Sequence, residues 1–410
     1  MNFGEKLIEE FRSTLDRQSQ EALHESVNRI VNTKQRGGKV MVVTGSGPNI
    51  HEGVTTLIAE LIHKGIIDAV STSSAVVSHE MSGSLDRVFR VNAEALDLDM
   101  QYMPRGGLFE ISVMNDELLA EIKKEMIVDE ELMRKAASLT IHSNIIKAAG
   151  NMAYPMGLRG ELIAGEILQL ARRYSVPFEQ IAGYGCDSMT MLGACAEKGL
   201  PLLVTIPQLI GGGAVGGAIG DSISVAERSM RLSCMLAESD VIIESAVALT
   251  QEIHDGPFEC YTGHGIWAWW QGQQTYSLKG KTLVRFDLDE NLRKATEMEK
   301  AVQEAIDKGL PKTKVAKIPF RMEMSAFARH EGSLPVIGDI GKIWPVMAHD
   351  ICCALGIKLD FLSASQDTPE GQAMRDWIVD NVKPLNREKM LSNTKMIYIS
   401  FQNEPKKIYL

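Results

Sequence analysis

Residues 39–80 read KVMVVTGSGPNIHEGVTTLIAELIHKGIIDAVSTSSAVVSHE. The apolar run 40–43 has the length of a strand. It breaks into Thr44-Gly45-Ser46-Gly47, and a helix is expected to open near His51. A second strand is expected at 66–70, ending in the small polar run 71–74. A strand that breaks into glycine and hydroxyl residues and then enters a helix leaves backbone N–H groups pointing outward. A helix N-terminus also carries partial positive charge, so each such end suits an anion. Two consecutive strands ending this way place both loops on one edge of a parallel sheet, the edge where open α/β sheets bind ligands. An ordinary βαβ unit with glycine turns is the plainer reading of the same residues.

Further strand candidates follow at 180–185, 201–206, 241–246 and 282–286, separated by helical patterns at 159–174, 188–198, 222–238 and 291–308. Strands spaced by helices of this length predict an α/β fold: a doubly wound, mostly parallel sheet of Rossmann type, covered on both faces. Before it, Phe3, Leu7, Phe11, Leu15, Leu23, Val27, Ile30 and Val31 recur at helical spacing and mark a helical N-terminal segment over 1–36. The nucleotide-binding-like domain is expected over 37–309, with 102–107 as loop and 116–137 as helix. From 310 onward Pro311, Pro319, Pro335 and Pro345 interrupt the pattern. That reads as a C-terminal extension over 310–410 packed on the main domain, with helices near 346–355 and 370–379 and a last strand at 396–401.

The 410 residues are 45% hydrophobic and 23% charged, ordinary for a globular protein able to bury a substantial core. A net charge of −10, with no cluster of Lys and Arg among aromatics, argues against nucleic acid or an anionic membrane surface as partner. The N-terminus is charged from its fifth residue and has no signal-peptide core, and no apolar run reaches the length of a membrane span. Six cysteines without a Cys-x-x-Cys pair fit reduced thiols in a cytoplasm.

Three stretches carry candidate chemistry. Gly211-Gly212-Gly213, with Gly216, matches the spacing Gly-x-Gly-x-x-Gly. It could be a dinucleotide phosphate loop, a flexible loop closing over another ligand, or a wide turn. Residues 251–270, QEIHDGPFECYTGHGIWAWW, place His254, Asp255, His264, Glu252, Glu259 and Trp267 among glycines just past a strand end. Titratable groups beside aromatics on a loop suit catalysis or substrate binding, with His254 and Asp255 as acid/base and charge partner. A structural aromatic loop is the alternative, and no metal-ligand template is matched. Glu80, beside the second strand end, could orient a ligand or cap a helix. Asp187 is expected as an N-cap, Cys186 at the same helix start could have a lowered pKa, and 329–332 and 338–344 read as surface loops.

With these positions placed, the order of motifs resembles deoxyhypusine synthase. Thr44-Gly45-Ser46, Leu61 to Asp68 (LIHKGIID), Ser71 to Ser74 and His79-Glu80 resemble that family's first nucleotide-binding region. Asp187-Ser188 leading through Glu197 to Pro201 and on to Pro207 resembles a later part of it. Gln251-Glu252 and Asp255-Gly256 resemble its acidic loop, which contacts cofactor and polyamine. The resemblance spans roughly 30–265. It implies a homo-oligomer, dimer or tetramer, with sites between subunits. It also implies NAD held by Thr44, Gly45, Ser46, Gly47, Thr72, Ser73, Ser74 and Glu80, to which the glycine spacing, and not the resemblance, adds Gly211, Gly212 and Gly213 as cofactor-binding candidates. The chain departs from the family twice. The loop after Pro207 has glycines where an acidic residue is expected, and residues 263–270 (GHGIWAWW) contain no lysine. Lys342, in Gly341-Lys342-Ile343, is the one echo of the family's lysine, and without that lysine no imine to a butylamine group can form. The expectation is therefore an NAD-dependent cytoplasmic enzyme acting on a small amine-bearing molecule, with Glu252, Glu259 and Trp267 near the amine and His254 or His264 as base. A hydrolase or lyase without NAD, and a non-catalytic binding or assembly protein, are the alternatives.

Overall fold

The computed structural model describes residues 4–45, 47–139, 152–204, 211–245, 258–260, 263, 265–310 and 330–403. Two helices, α1 (Glu5–Ser13) and α2 (Arg17–Gln35), precede β1 (Val40–Thr44). Then come α3 (Gly47–His51), α4 (Val54–His63), β2 (Ala69–Thr72) and α5 (Ser74–Met81). A small second sheet follows, made of β3 (Arg87–Asn92), β4 (Leu108–Val113) and β5 (Met152–Ala153). Helices α6 (Asp116–Ile122) and α7 (Glu130–Ser138) accompany it. The main alternation resumes with α8 (Pro155–Tyr174), α9 (Phe178–Gly183), α10 (Met191–Lys198), β6 (Leu202–Val204), α11 (Gly213–Ser222), α12 (Val225–Glu238) and β7 (Val241–Ser245). It ends with α13 (Ile266–Trp270), β8 (Thr282–Asp287), α14 (Asn291–Glu297), α15 (Glu299–Asp307), β9 (Ser333–Ile337), α16 (Ile340–Leu355), α17 (Pro369–Asn381) and α18 (Arg387–Asn403).

The main sheet runs β6-β2-β1-β7-β8-β9, every pairing parallel. Counted along the chain, its six strands lie in the order 3-2-1-4-5-6, the order of doubly wound dinucleotide-binding sheets. β1 shows why: all five of its residues are buried, and they alternate between two cores. Val40 and Val42 pack with α2, α4 and α16 on one face, while Met41 and Val43 pack with Leu232, Met235 and Leu236 of α12 on the other. No helix among the described residues is long and apolar enough to cross a membrane.

Several sequence expectations are corrected. Residues 180–185, expected as a strand, lie in α9 and the turn after it. A short apolar run does not distinguish strand from helix by itself, and here buried Glu179 fixes the outcome: its carboxylate accepts the Val204 N–H at 2.8 Å and pairs with buried Arg228. Residues 396–401, also expected as a strand, continue α18, whose first turn is capped by Asn386 and anchored by fully buried Met390. β2 begins at Ala69 rather than 66, because the Asp68 carboxylate turns back to accept from the Val40 N–H (2.8 Å) and from Lys34 Nζ (2.7 Å). Thr190, not Asp187, caps α10, accepting from the Gly193 N–H at 3.0 Å. The helical patterns at 116–137 and 291–308 are each two helices, and the latter part of the pattern at 222–238 is α12, capped by Ser224. From the C-terminal extension β9 joins the main sheet as an edge strand, and 340–344 is the start of α16 rather than loop, with Trp344 fully buried. His330, in the other expected loop, is also buried.

Candidate functional site

The order of the sheet reverses between β1 and β7, and the crevice beyond the carboxyl ends of those strands is where doubly wound sheets take their ligands. At this point the Gly45 N–H donates to the Ser245 carbonyl at 2.9 Å. Asn49, one turn into α3, donates through Nδ2 to the same carbonyl (3.3 Å) and accepts from Ser245 Oγ through Oδ1 (2.6 Å). Trp344 Nε1 donates to Ser245 Oγ at 3.0 Å. All three side chains are buried, so the β1 turn, β7 and α16 are tied into one rigid floor. None of the three stood out in the sequence. Their links run between residues some two hundred and one hundred positions apart.

On the other side of β1, Thr44 Oγ1 donates to Thr72 Oγ1 at 2.8 Å, joining the ends of β1 and β2. Ser73 then caps α5, accepting from the Val76 N–H at 3.2 Å. The glycine run packs onto this helix start. A Cβ on Gly212 would lie 2.8 Å from the Ser74 carbonyl oxygen, and one on Gly213, at φ +61°, would strike the Glu161 carboxylate. The structure therefore joins the ends of β1 and β2 through Thr44 and Thr72, and sets Gly212 against Ser74 at the start of α5. Ser46 lies outside the described residues.

The chemistry of this set fits a dinucleotide. Every side chain in it is neutral, the hydroxyls can donate, and two backbones approach where a Cβ would not fit. One residue before the end of β2, Ser71 Oγ is fully buried and has no hydrogen-bond partner among the described residues.

Other expected site residues are placed differently. Glu80 is fully buried, and its two oxygens accept from the Met191 and Leu192 N–H groups at 3.0 Å each, which caps α10. Burial pushes its carboxyl up to about 8, against the pull of those two amides. Cys186 is buried as well, and its thiol is raised well above the ordinary range, opposite to the lowering expected for a helix start. Lys342 sits in the first turn of α16 with Nζ 3.3 Å from Asp367. It joins a polar group in which Ser365 donates to Asp339 and Asp367, and Gln366 donates its N–H to Glu52 at 2.7 Å. Burial, reinforced by the negative charges of Asp339 and Asp367, pushes Glu52 up to about 7 against those bonds from Gln366. Glu259 is fully buried, and its backbone bridges to Tyr276. Trp267 is instead 68% exposed on α13, edge-to-face with Trp270 at 4.7 Å. His254, Asp255, His264 and Glu252 lie outside the described residues.

A charged pair that sequence reasoning missed lies on the opposite face of the sheet from Thr44 and Ser245. Glu244 of β7 and Arg285 of β8 are register partners, both buried, with Arg285 Nε 3.6 Å from Glu244. Burial lowers Arg285 to about 10, although Glu244 and Asp287 pull the other way. The sequence signal in these strands is a short continuous apolar run (Val241 to Ile243, and Leu283 with Val284), and it does not single out the pair. Among the described residues no three His, Cys, Asp or Glu are grouped as metal ligands would be.

No protein-family model matches the chain, and no curated protein matches it. Among solved structures it is similar to a conserved LOR/SDH protein from Methanococcus maripaludis S2, at 9% identity over 85% of this chain and 68% of that one, with a TM-score of 0.36. It is also similar to ArgZ, an arginine dihydrolase from the ornithine–ammonia cycle in cyanobacteria, at 12% identity, 83% and 32% coverage and a TM-score of 0.38. A third is AgrE in a ternary complex with ornithine and NAD+, at 12% identity, 82% and 33% coverage and a TM-score of 0.40. The chain spans about a third of the length of the last two. Likenesses this loose carry no weight for its chemistry, which rests on the residues of the crevice.

Proposed function

We propose that this protein is an NAD-dependent enzyme acting on a small amine-bearing substrate, similar to deoxyhypusine synthase in its nucleotide-binding half but not itself a deoxyhypusine synthase. The observation that carries the reading is the order 3-2-1-4-5-6 of an all-parallel sheet, together with a neutral hydroxyl and glycine set at the ends of β1 and β2. Thr44, Gly45 and Gly47 would meet the cofactor at the β1 turn. Thr72, Ser73 and the first amides of α5 would meet it at the β2 turn, with Gly211 to Gly213 closing over it.

When bound, NAD supplies an acceptor for the hydride lost from the carbon that bears nitrogen. The chain's own part is to take the proton leaving that nitrogen, for which His254 or His264 is the base. Holding the amine falls to Glu252, Asp255 and the rings of 267–270, whose faces attract an ammonium. Lys342 is engaged with Asp367, which fits a reaction without an enzyme–substrate imine.

The test is the melting temperature of the full chain with NAD. Saturation at a hundred times the dissociation constant adds about 2.7 kcal/mol, a clear upward shift. No shift at millimolar NAD ends the proposal. If NAD binds, His254→Ala and His264→Ala are expected to leave that shift intact while one of them abolishes turnover.

A further inference from the structure

Near the C-terminal end of α16, away from the crevice, a thiol, an imidazole, a carboxylate and a guanidinium are linked in that order. Cys353 lies in the last turn of the helix and is exposed. His349 stands one turn before it, on the same side of the helix. The Cys353 sulfur is 3.5 Å from His349 Nε2 and 4.0 Å from Nδ1. Nδ1 is in turn 3.2 Å from Asp350 Oδ1. Arg12 of α1 grips both oxygens of Asp350, its Nη1 and Nη2 donating at 2.9 Å each. Glu9, also on α1, accepts from Arg12 Nε at 3.1 Å.

The order of these contacts sets the role of each group. An ionised carboxylate can only accept, so the ring nitrogen facing Asp350 is the one that carries the proton when the imidazole is neutral. That leaves Nε2, the nitrogen nearer the sulfur, to accept the thiol proton. The two-pronged bond from Arg12 fixes Asp350, and through it the tautomer of His349. A thiol, a base within reach and a third group that orients the base are the parts of an activated cysteine. A plain surface thiol needs none of them. His349 and Asp350 are themselves partly exposed, so a reagent can reach the sulfur beside its base. The adjacent thiol, Cys352, is 2% exposed and packs in the main core. Consecutive residues of a helix do not face each other, so a disulfide between Cys352 and Cys353 is closed off.

We propose that Cys353 is a thiol-modification site, which captures a small disulfide as a mixed disulfide with His349 as the base. Nε2 takes the thiol proton, and the thiolate attacks one sulfur of the incoming disulfide. A new S–S bond forms to Cys353 as the old one breaks, and the leaving thiolate recovers the proton from His349. The small disulfide is the oxidant: Cys353 is oxidised, and half of the reagent departs reduced, as a free thiol. Excess thiol reverses the step. Cys353 lies nine residues beyond Trp344 of the crevice floor, about 13 Å along the helix. The proposal therefore does not depend on which ligand fills the crevice.

The test treats the reduced full chain with bis(2-hydroxyethyl) disulfide, a neutral reagent that the charges of Glu9, Arg12 and Asp350 do not steer. Intact mass and peptide mapping follow the adducts. Wild type is expected to gain its first adduct at Cys353, ahead of the half-buried Cys234 and Cys260, and Cys353→Ser should lose that adduct. At pH 7 His349→Gln should react about tenfold more slowly, with unchanged circular dichroism and melting, because a thiol without a base is only a few per cent ionised there. The gap should close as pH rises toward about 10, where a thiol ionises unaided. A role for His349 in packing alone would leave the gap the same at every pH. A first adduct at another cysteine overturns the proposal. So does a His349→Gln chain that reacts as fast as wild type at pH 7, or a gap that does not change with pH.

Discussion

Replacing Glu80 by glutamine separates two forces that meet at one buried carboxyl. Its two oxygens accept from the Met191 and Leu192 N–H groups at 3.0 Å each, and its side chain is closed off from water. Glutamine offers one oxygen and one NH2, so one of the two amides faces a donor and loses its partner. A buried N–H left without an acceptor costs about 1–3 kcal/mol.

Against this stands ionisation. Burial raises the folded carboxyl from 4.5 to about 8, and a shift of roughly 3.5 units corresponds to about 5 kcal/mol. The folded protein holds a proton that the unfolded chain releases between those two values. The stability it contributes is fully present below the unfolded pKa and is lost as pH rises through the folded one. Glutamine does not titrate.

The difference in stability between wild type and Glu80→Gln should therefore favour wild type by a few kcal/mol at about pH 5, and vanish or reverse by about pH 9. Urea unfolding of both proteins at a series of pH values measures it, since all other titrating groups cancel in the comparison. A difference that stays constant, or that grows in favour of wild type as pH rises, would refute the reasoning. It would mean that the amides of α10 hold the ionised carboxylate more strongly than burial opposes it.

Gly212→Ala should weaken NAD binding without unfolding the chain, because the new Cβ would lie 2.8 Å from the Ser74 carbonyl and push the glycine turn off α5; unaltered NAD titration by calorimetry would separate that turn from the cofactor. For the buried Glu179–Arg228 pair, Arg228→Met alone should cost about 3–5 kcal/mol by stranding the carboxylate, while Arg228→Met with Glu179→Leu should recover much of that loss. Equal losses in the single and double variants, measured by denaturant unfolding, would count against a charge-stranding cause.

What the sequence disclosed follows from the range of each interaction. The ends of β1 and β2 were legible because a five-residue apolar run breaking into hydroxyls and glycines is a local event. Gly211 to Gly213 stand out by their spacing, but that spacing does not say that Gly212 lies against Ser74. The α9 segment reads as a strand because Ile181 and Ala182 look the same in a strand or a helix; the partner that decides it, Arg228, lies almost fifty residues from Glu179. Trp344 read as surface loop because the glycines around it are local, while its hydrogen bond to Ser245 spans a hundred residues. Beside a strand end, Glu80 reads equally as a helix cap or a ligand contact. At that position burial is the whole difference.

The position of β1 at the middle of the sheet shapes how the chain comes off the ribosome. β1 meets β2 after fewer than thirty residues, but its other neighbour, β7, is made only after about two hundred more have been added. At synthesis rates of roughly 5–20 residues per second, that leaves one side of Val40–Thr44 unpaired for on the order of ten seconds or more. The waiting side is a run of apolar, β-branched residues, the kind of edge that pairs with whatever strand arrives first. A nascent chain of this protein therefore depends on the N-terminal helices, or on a chaperone, to shield β1 until β7 emerges. A truncation ending before residue 241 should be far more prone to aggregation than the whole chain.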